Sequence, residues 1–153
     1  MIVPFPKKKR SCVAEIHPVA KSEFRLYLPV FASAVPAGVP SLVEDYTEGH
    51  LDLNEHLISN PQKTFIVKVS GDSMLDAGIH PDDLLIVDQS IDPQDGHVVV
   101  AALDGDLTVK RLCRQGERVF LMPENSGYAG IEVGETAHFV IWGVVTNVIH
   151  RLG

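Results

Sequence analysis

Beyond Pro61 the chain settles into short runs of branched apolar residues separated by turn-forming clusters. The runs are TFIVKV (64–69), DLLIVD (83–88), HVVVAAL (97–103), DLTVKRL (106–112), RVFLM (118–122) and HFVIWGVVTNVI (138–149). Between them stand His80-Pro-Asp-Asp83, Asp92-Pro-Gln-Asp-Gly96, Asp104-Gly-Asp106, Arg114-Gln-Gly116 and Pro123-Glu-Asn-Ser-Gly127, residue types that reverse the backbone or tolerate positive φ. Six such runs with no helical pattern between them predict a mainly β, largely antiparallel body. Leu103-Asp-Gly-Asp106 reads as a hairpin turn.

Before Pro61 the pattern is different. FRLYLPV (24–30) predicts one short strand, and Phe31 to Ser41 an exposed, extended linker. There Pro36 and Pro40 forbid helix, and Ala34, Ala37 and Gly38 leave little side-chain bulk. From Leu51, LDLNEHLIS predicts a helix with Asp52 as N-cap, Glu55 three residues on and an apolar stripe of Leu53, Leu57 and Ile58, ended by Asn60-Pro61. A second, shorter helical turn is expected over Met74 to Ala77, stopped by Gly78. Residues 1–23 receive no element; they read as a solvated arm.

Composition narrows the class. With 153 residues, 45% of them hydrophobic, and a net charge of -7, the chain reads as one soluble acidic domain. Its best apolar run, Val98 to Leu103, is six residues long, far short of the ~18 that a membrane helix needs. MIVPFPKKKR places its charges after a short apolar stretch and has no secretory h-region, so a cytoplasmic address is expected. Cys12 and Cys113 make neither a disulfide framework nor a CxxC site. The seven histidines (17, 50, 56, 80, 97, 138 and 150) lack ligand spacing, so neither metal nor cofactor is expected. Charge is uneven: residues 1–37 carry six basic and two acidic side chains, net +4, and residues 38–153 carry seven and eighteen, net -11. The asymmetry suggests an interaction tail on a differently charged body, and the acidic balance disfavours direct phosphate-backbone binding.

Chemistry concentrates at Val69-Ser-Gly-Asp-Ser-Met-Leu-Asp-Ala-Gly78. Ser73 falls where a strand gives way to a helical turn, beside backbone N–H groups able to stabilise an oxyanion. A serine there is also a good helix cap, and the triplet alone does not separate these readings. A nucleophilic serine needs a base. His138, in Glu135-Thr-Ala-His138, is one candidate; Lys110, in the apolar run 106–112, is another if desolvation favours its neutral amine. Strand alternation puts Thr108 on the Lys110 face, where its hydroxyl can orient the amine, and Arg111 on the other. Lys68, on the strand leading into Ser73, is the rival lysine, and Lys110 as a mere edge-strand charge is the bland alternative.

From Phe31 onward the sequence resembles the UmuD group of self-cleaving SOS mutagenesis proteins, related to LexA repressors. The resemblance rests on Ala37-Gly38 with Val39-Pro-Ser41, Asp52-Leu-Asn54, Val69-Ser-Gly-Asp-Ser-Met74, Gly78-Ile79, Asp83-Leu-Leu-Ile-Val-Asp88 and Thr108-Val-Lys110. It implies the compact antiparallel β body of the LexA/UmuD C-terminal peptidase type, with one or two short helices and an extended N-terminal arm. It implies a Ser-Lys dyad of Ser73 and Lys110 that cuts Ala37-Gly38, an oxyanion held near Asp72 and Ser73, and Thr108 as orienting residue. Residues 1–37 are then a flexible basic arm lost on cleavage, and 38–153 the peptidase-like domain, with linker and short helix over 38–60. It further implies a homodimer, stimulation by RecA nucleoprotein filaments, and service of the trimmed form as accessory subunit of an error-prone, UmuC-like translesion polymerase. A helix-turn-helix reader of specific DNA is not expected, because Pro4, Pro6, Pro18, Pro29 and Pro36 interrupt the first 37 residues. Two alternatives belong to other classes: a GDSL-type Ser/His esterase using His138, and a non-catalytic adaptor in which Ser73 only caps.

Overall fold

The structure, a computed structural model, describes residues 3–4, 13–18, 27–31 and 47–153. The chain divides into two compact units, residues 20–59 and residues 1–19 with 60–153. In the smaller unit, β3 (Tyr27–Phe31) pairs antiparallel with β4 (Thr47–Asp52), which runs into α1 (Leu53–Leu57). Asp52 caps α1 as expected, its Oδ1 accepting the Asn54 N–H at 2.9 Å. The helix is shorter than its sequence pattern suggests and buries none of its residues; Leu53 stays half exposed. The linker over 32–41, with Ala37 and Gly38, lies outside the described residues.

The larger unit is an antiparallel sheet of nine described strands. In chain order they are β1 (Val3–Pro4), β2 (Val13–Pro18), β5 (Thr64–Val69), β6 (Leu84–Asp88), β7 (Val98–Leu103), β8 (Asp106–Gln115), β9 (Arg118–Met122), β10 (Ile131–Glu132) and β11 (Phe139–Ile149). Across the sheet the order is β1-β2-β5-β6-β11-β7-β8-β9-β10. The six strands expected beyond Pro61 are all present, with ends within a few residues of the apolar runs. The sequence reading gave no element to β1, β2, β4 or β10. Strand β2 lies along the outer side of β5, with Val13 opposite Val69 and Pro18 opposite Phe65.

Alternation along the strands fills two apolar clusters. One gathers Phe65, Val67, Val69, Met74, Ile79, Leu85, Val87, Val100, Leu107 and Val109; the other gathers Val99, Ala101, Leu112, Leu121 and Val144. Successive residues of β7 thus serve both clusters, which is why VVVAA reads as a continuous apolar run. Strand β11 inserts between β6 and β7 and shifts register twice, between Ile141 and Gly143 and between Val145 and Asn147. Gly143 sits at the first shift, where a Cβ would lie 2.7 Å from Val87 Cγ1 and 3.0 Å from the Asp88 carbonyl oxygen. The backbones approach there too closely for a side chain. No described helix is long and apolar enough to cross a membrane.

Candidate active site

Strand β5 ends at Val69, and the chain makes a loop before re-entering the sheet at β6. Its base is closed by two backbone bonds, Val69 N–H to the Asp83 carbonyl and Asp82 N–H to the Val69 carbonyl, each 2.9 Å. Buried Met74 and Ile79 anchor the loop in the core and are joined by a 3.2 Å bond from the Ile79 N–H to the Met74 carbonyl. A 3-10 turn over Leu75–Ala77 ends at Gly78, whose φ of 79° is the left-handed conformation glycine adopts without steric penalty. Asp83 is buried at the loop's far end; burial pushes its carboxyl up, yet the His80 backbone N–H and the His150 ring together hold it below its ordinary value.

Ser73 does not cap the turn. Met74 occupies the cap position, with no side-chain cap hydrogen bond. Instead the Ser73 hydroxyl faces β8, where Lys110 Nζ donates to Ser73 Oγ at 2.9 Å, to Thr108 Oγ1 at 2.9 Å and to the Val109 carbonyl at 3.2 Å. Ser73, Thr108 and Lys110 are all buried, between 6% and 8% exposed. The β7 residues opposite Lys110 and Thr108 are Val99 and Ala101, both fully buried. An ammonium in such a setting loses much of its hydration.

A second loop holds the first. The Glu124 N–H bonds the Ser73 carbonyl at 2.9 Å, the Asp76 N–H bonds the Glu124 carbonyl at 2.7 Å, and Asn125 Nδ2 donates to the Asp72 carbonyl at 2.7 Å. Tyr128 donates its hydroxyl to the Asp72 carboxylate. That hydrogen bond first, and the carboxylate charge second, hold the phenol above its ordinary pKa. Arg111, on the face of β8 away from Lys110, binds Glu124 and the Gly96 carbonyl, so the supporting loop is itself tied down. Among the described residues no hydrogen bond occupies the N–H of Asp72, Ser73 or Met74.

The sequence candidates therefore separate cleanly. Ser73, Lys110 and Thr108 come together, with Asp72 beside them. His138 is exposed and sits against Asp104 in the β7–β8 turn, its carbonyl accepting the Asp104 N–H at 2.8 Å and its own N–H donating to Asp104 Oδ1 at 3.0 Å; ~13 Å of strand separates Asp106 from Lys110. Lys68 lies in backbone register with Glu15 of β2 and Leu84 of β6. Glu124, Asn125 and Tyr128 escaped sequence reasoning because a Pro-Glu-Asn-Ser-Gly cluster signals a turn and nothing more; their contacts to Asp72 and Ser73 span about fifty residues of chain.

Most of the chain matches known proteins. The family model described as Peptidase S24-like matches residues 29–146. Protein SamA of Salmonella typhimurium is 44% identical over 123 residues, covering 80% of this chain and 85% of SamA. Protein ImpA of Escherichia coli is 44% identical over 123 residues, with coverage of 80% and 83%. The LexA repressor of Aliivibrio salmonicida is 42% identical over 125 residues, which are 81% of this chain and 59% of the repressor. With a match that runs through both loops and all of β4 to β10, this UmuD-like chain belongs to the Peptidase S24-like family.

Proposed function

We propose that this chain is a self-cleaving serine peptidase whose nucleophile is Ser73 and whose base is Lys110, and that it cuts its own Ala37–Gly38 bond. The observation that carries the reading is the 2.9 Å contact between Lys110 Nζ and Ser73 Oγ in a buried setting. Burial disfavours an ammonium, and with a neutral amine the same contact reverses: Oγ–H donates and the Nζ lone pair accepts. Ser73 Oγ then attacks the Ala37 carbonyl carbon while its proton passes to Nζ. The tetrahedral oxyanion is held by N–H groups around Asp72 and Ser73. Nζ delivers the proton to the Gly38 nitrogen as the C–N bond breaks, leaving Ala37 esterified to Ser73, and water attacks that ester with Lys110 again as base. Thr108 Oγ1 orients the amine throughout. Small residues at 37 and 38 allow close approach, and a tethered substrate replaces a bimolecular encounter.

On this reading residues 1–37 are the released arm and 38–153 the retained peptidase-like domain. By kinship with UmuD-like proteins, we assign the chain to the SOS response in the cytoplasm, with RecA filaments stimulating cleavage. The trimmed homodimer serves as accessory subunit of an error-prone, UmuC-like translesion polymerase. The test is to incubate the purified chain at mildly alkaline pH, with and without RecA filaments on single-stranded DNA, and to sequence any new N-terminus. A terminus at Gly38, lost in Ser73→Ala and Lys110→Ala, is expected; a chain left whole under both conditions overturns the proposal.

A further inference from the structure

The base of the Ser73 loop carries a second cluster of chemically active side chains. His80 precedes β6, Asp83 borders it, and His150 follows β11 by one residue. The β6–β11 register sets Ile149 opposite Leu84, which brings His150 to Asp83 across 67 residues of chain. His150 Nδ1 lies 2.5 Å from Asp83 Oδ1, and His80 Nδ1 lies 3.6 Å from Asp83 Oδ2. The two imidazole rings stand side by side, centroids 4.5 Å apart and planes tilted by 32°. Both therefore present Nδ1 to one carboxylate.

We propose that His80, Asp83 and His150 bind a divalent transition-metal ion of the zinc class. Four observations converge on it. Two imidazole nitrogens and a carboxylate oxygen form a donor set suited to zinc or cobalt and poorly suited to calcium or magnesium. The three ligand atoms already lie within 4.8 Å of one another; tetrahedral bonds of ~2.0–2.1 Å require separations of about 3.4 Å. His80 Nδ1 is buried and has no hydrogen-bond partner, although a buried imidazole nitrogen ordinarily has one. Asp83 is pre-oriented: its side chain is 2% exposed, and Oδ2 accepts the His80 backbone N–H at 2.8 Å.

The remaining adjustment falls where the chain can supply it. The side chains of His80 and His150 are 46% and 40% exposed, so both rings have room to turn about Cβ. Their solvent-facing rims leave the fourth position to water, giving three protein ligands and an open site. The histidines show no ligand spacing in sequence because strand register, not chain proximity, assembles them. A bound ion would join the end of β11 to the base of the Ser73 loop, since Asp83 also carries the carbonyl that closes that base.

The test uses the full chain and Co2+ as a spectroscopic probe in buffer free of nitrogen ligands. One equivalent is expected to saturate a visible absorption band, Zn2+ to displace it, and Zn2+ to raise the melting temperature in proportion to occupancy. His80→Ala and His150→Gln should each weaken Co2+ binding by about tenfold or more, a scale on which even the supporting groups of metal sites act. The second variant keeps a hydrogen-bond donor for Asp83, so its fold, checked by circular dichroism, should persist. His138→Ala should bind as the native chain does. Absence of saturable one-to-one binding overturns the proposal, as does equal binding by the native chain and both site variants.

Discussion

Lys110 places an amine in a buried setting, where a charged group is costly. Its amine is buried on a strand opposite Val99, with the Ser73 and Thr108 hydroxyls and the Val109 carbonyl among its partners. Lys110→Met keeps the length and apolar stem of the side chain and discards the amine; we expect it to melt at or above the native temperature while producing no new terminus at Gly38. A parallel loss of fold and cleavage would instead make Lys110 a structural residue. Thr108→Val preserves shape and removes one hydrogen bond to Nζ. A loss of about 1 kcal/mol in positioning predicts cleavage slowed about five- to tenfold, measured as the rate of appearance of the trimmed chain. Tyr128→Phe tests the supporting loop. The raised pKa of this phenol keeps it a donor to Asp72 through mildly alkaline pH, so the variant should cleave more slowly with an unaltered pH profile. Ser73, Lys110 and Thr108 were legible in the sequence because each had a local signature: a strand-to-turn junction, and polar side chains two apart inside an apolar run. Tyr128 and Asn125 had none, since their roles arise only when two turns meet.

At the scale of elements, β11 is the longest described strand and carries a close contact at Gly143. Gly143 faces Val87 and the Asp88 backbone at distances that no Cβ tolerates without displacement. Gly143→Ala is expected to destabilise by about 1–3 kcal/mol, the usual range for overpacking, read from the denaturant midpoint. At the opposite extreme, β10 is two exposed residues held to β9. Glu132 there accepts a fork from Arg118, with distances of 2.8 and 3.0 Å. These hydrogen bonds first, then the guanidinium charge, set the Glu132 carboxyl below its ordinary value. A depressed carboxyl pKa contributes stability above the unfolded-state value and loses it as pH falls through the folded one. The pair is exposed, so Glu132→Gln should shift the melting temperature little at neutral pH and not at all in acid. The six strands from β5 to β9 and β11 were legible because alternation and turn chemistry agree there. Strands β4 and β10 were not: Thr47-Glu-Gly-His is polar and becomes a strand through pairing with β3, and two residues have no period.

For the whole molecule, charge and chain continuity matter together. Cleavage at Ala37–Gly38 would take a chain of net -7 to one of net -11 by removing a +4 segment. The trimmed form should bind an anion exchanger more tightly than the full chain at equal salt, and, if the basic segment masks acidic surface, should differ from it in affinity for the polymerase subunit. Equal affinity across salt concentrations would refute the masking. Residues 1–37 were legible as a unit of charge but not as a contributor to the main sheet, because Val13-Ala-Glu-Ile-His-Pro carries little strand signal without β5 beside it.

That strand would give the proposed cleavage a second meaning. While the chain is whole, β2 is held against β5 at the high effective concentration of a tethered segment; if the proposed cut is made, it would become a peptide ligand held by its pairing with β5 alone. Its residence then depends on dilution, and its departure would leave β5 as a sheet edge with a row of unpaired N–H and C=O groups, a template for another extended segment. If the chain cleaves itself as proposed, peptide-bond hydrolysis and the opening of that edge would be separate events, the first set by Ser73 and Lys110, the second by the dissociation rate of a six-residue strand.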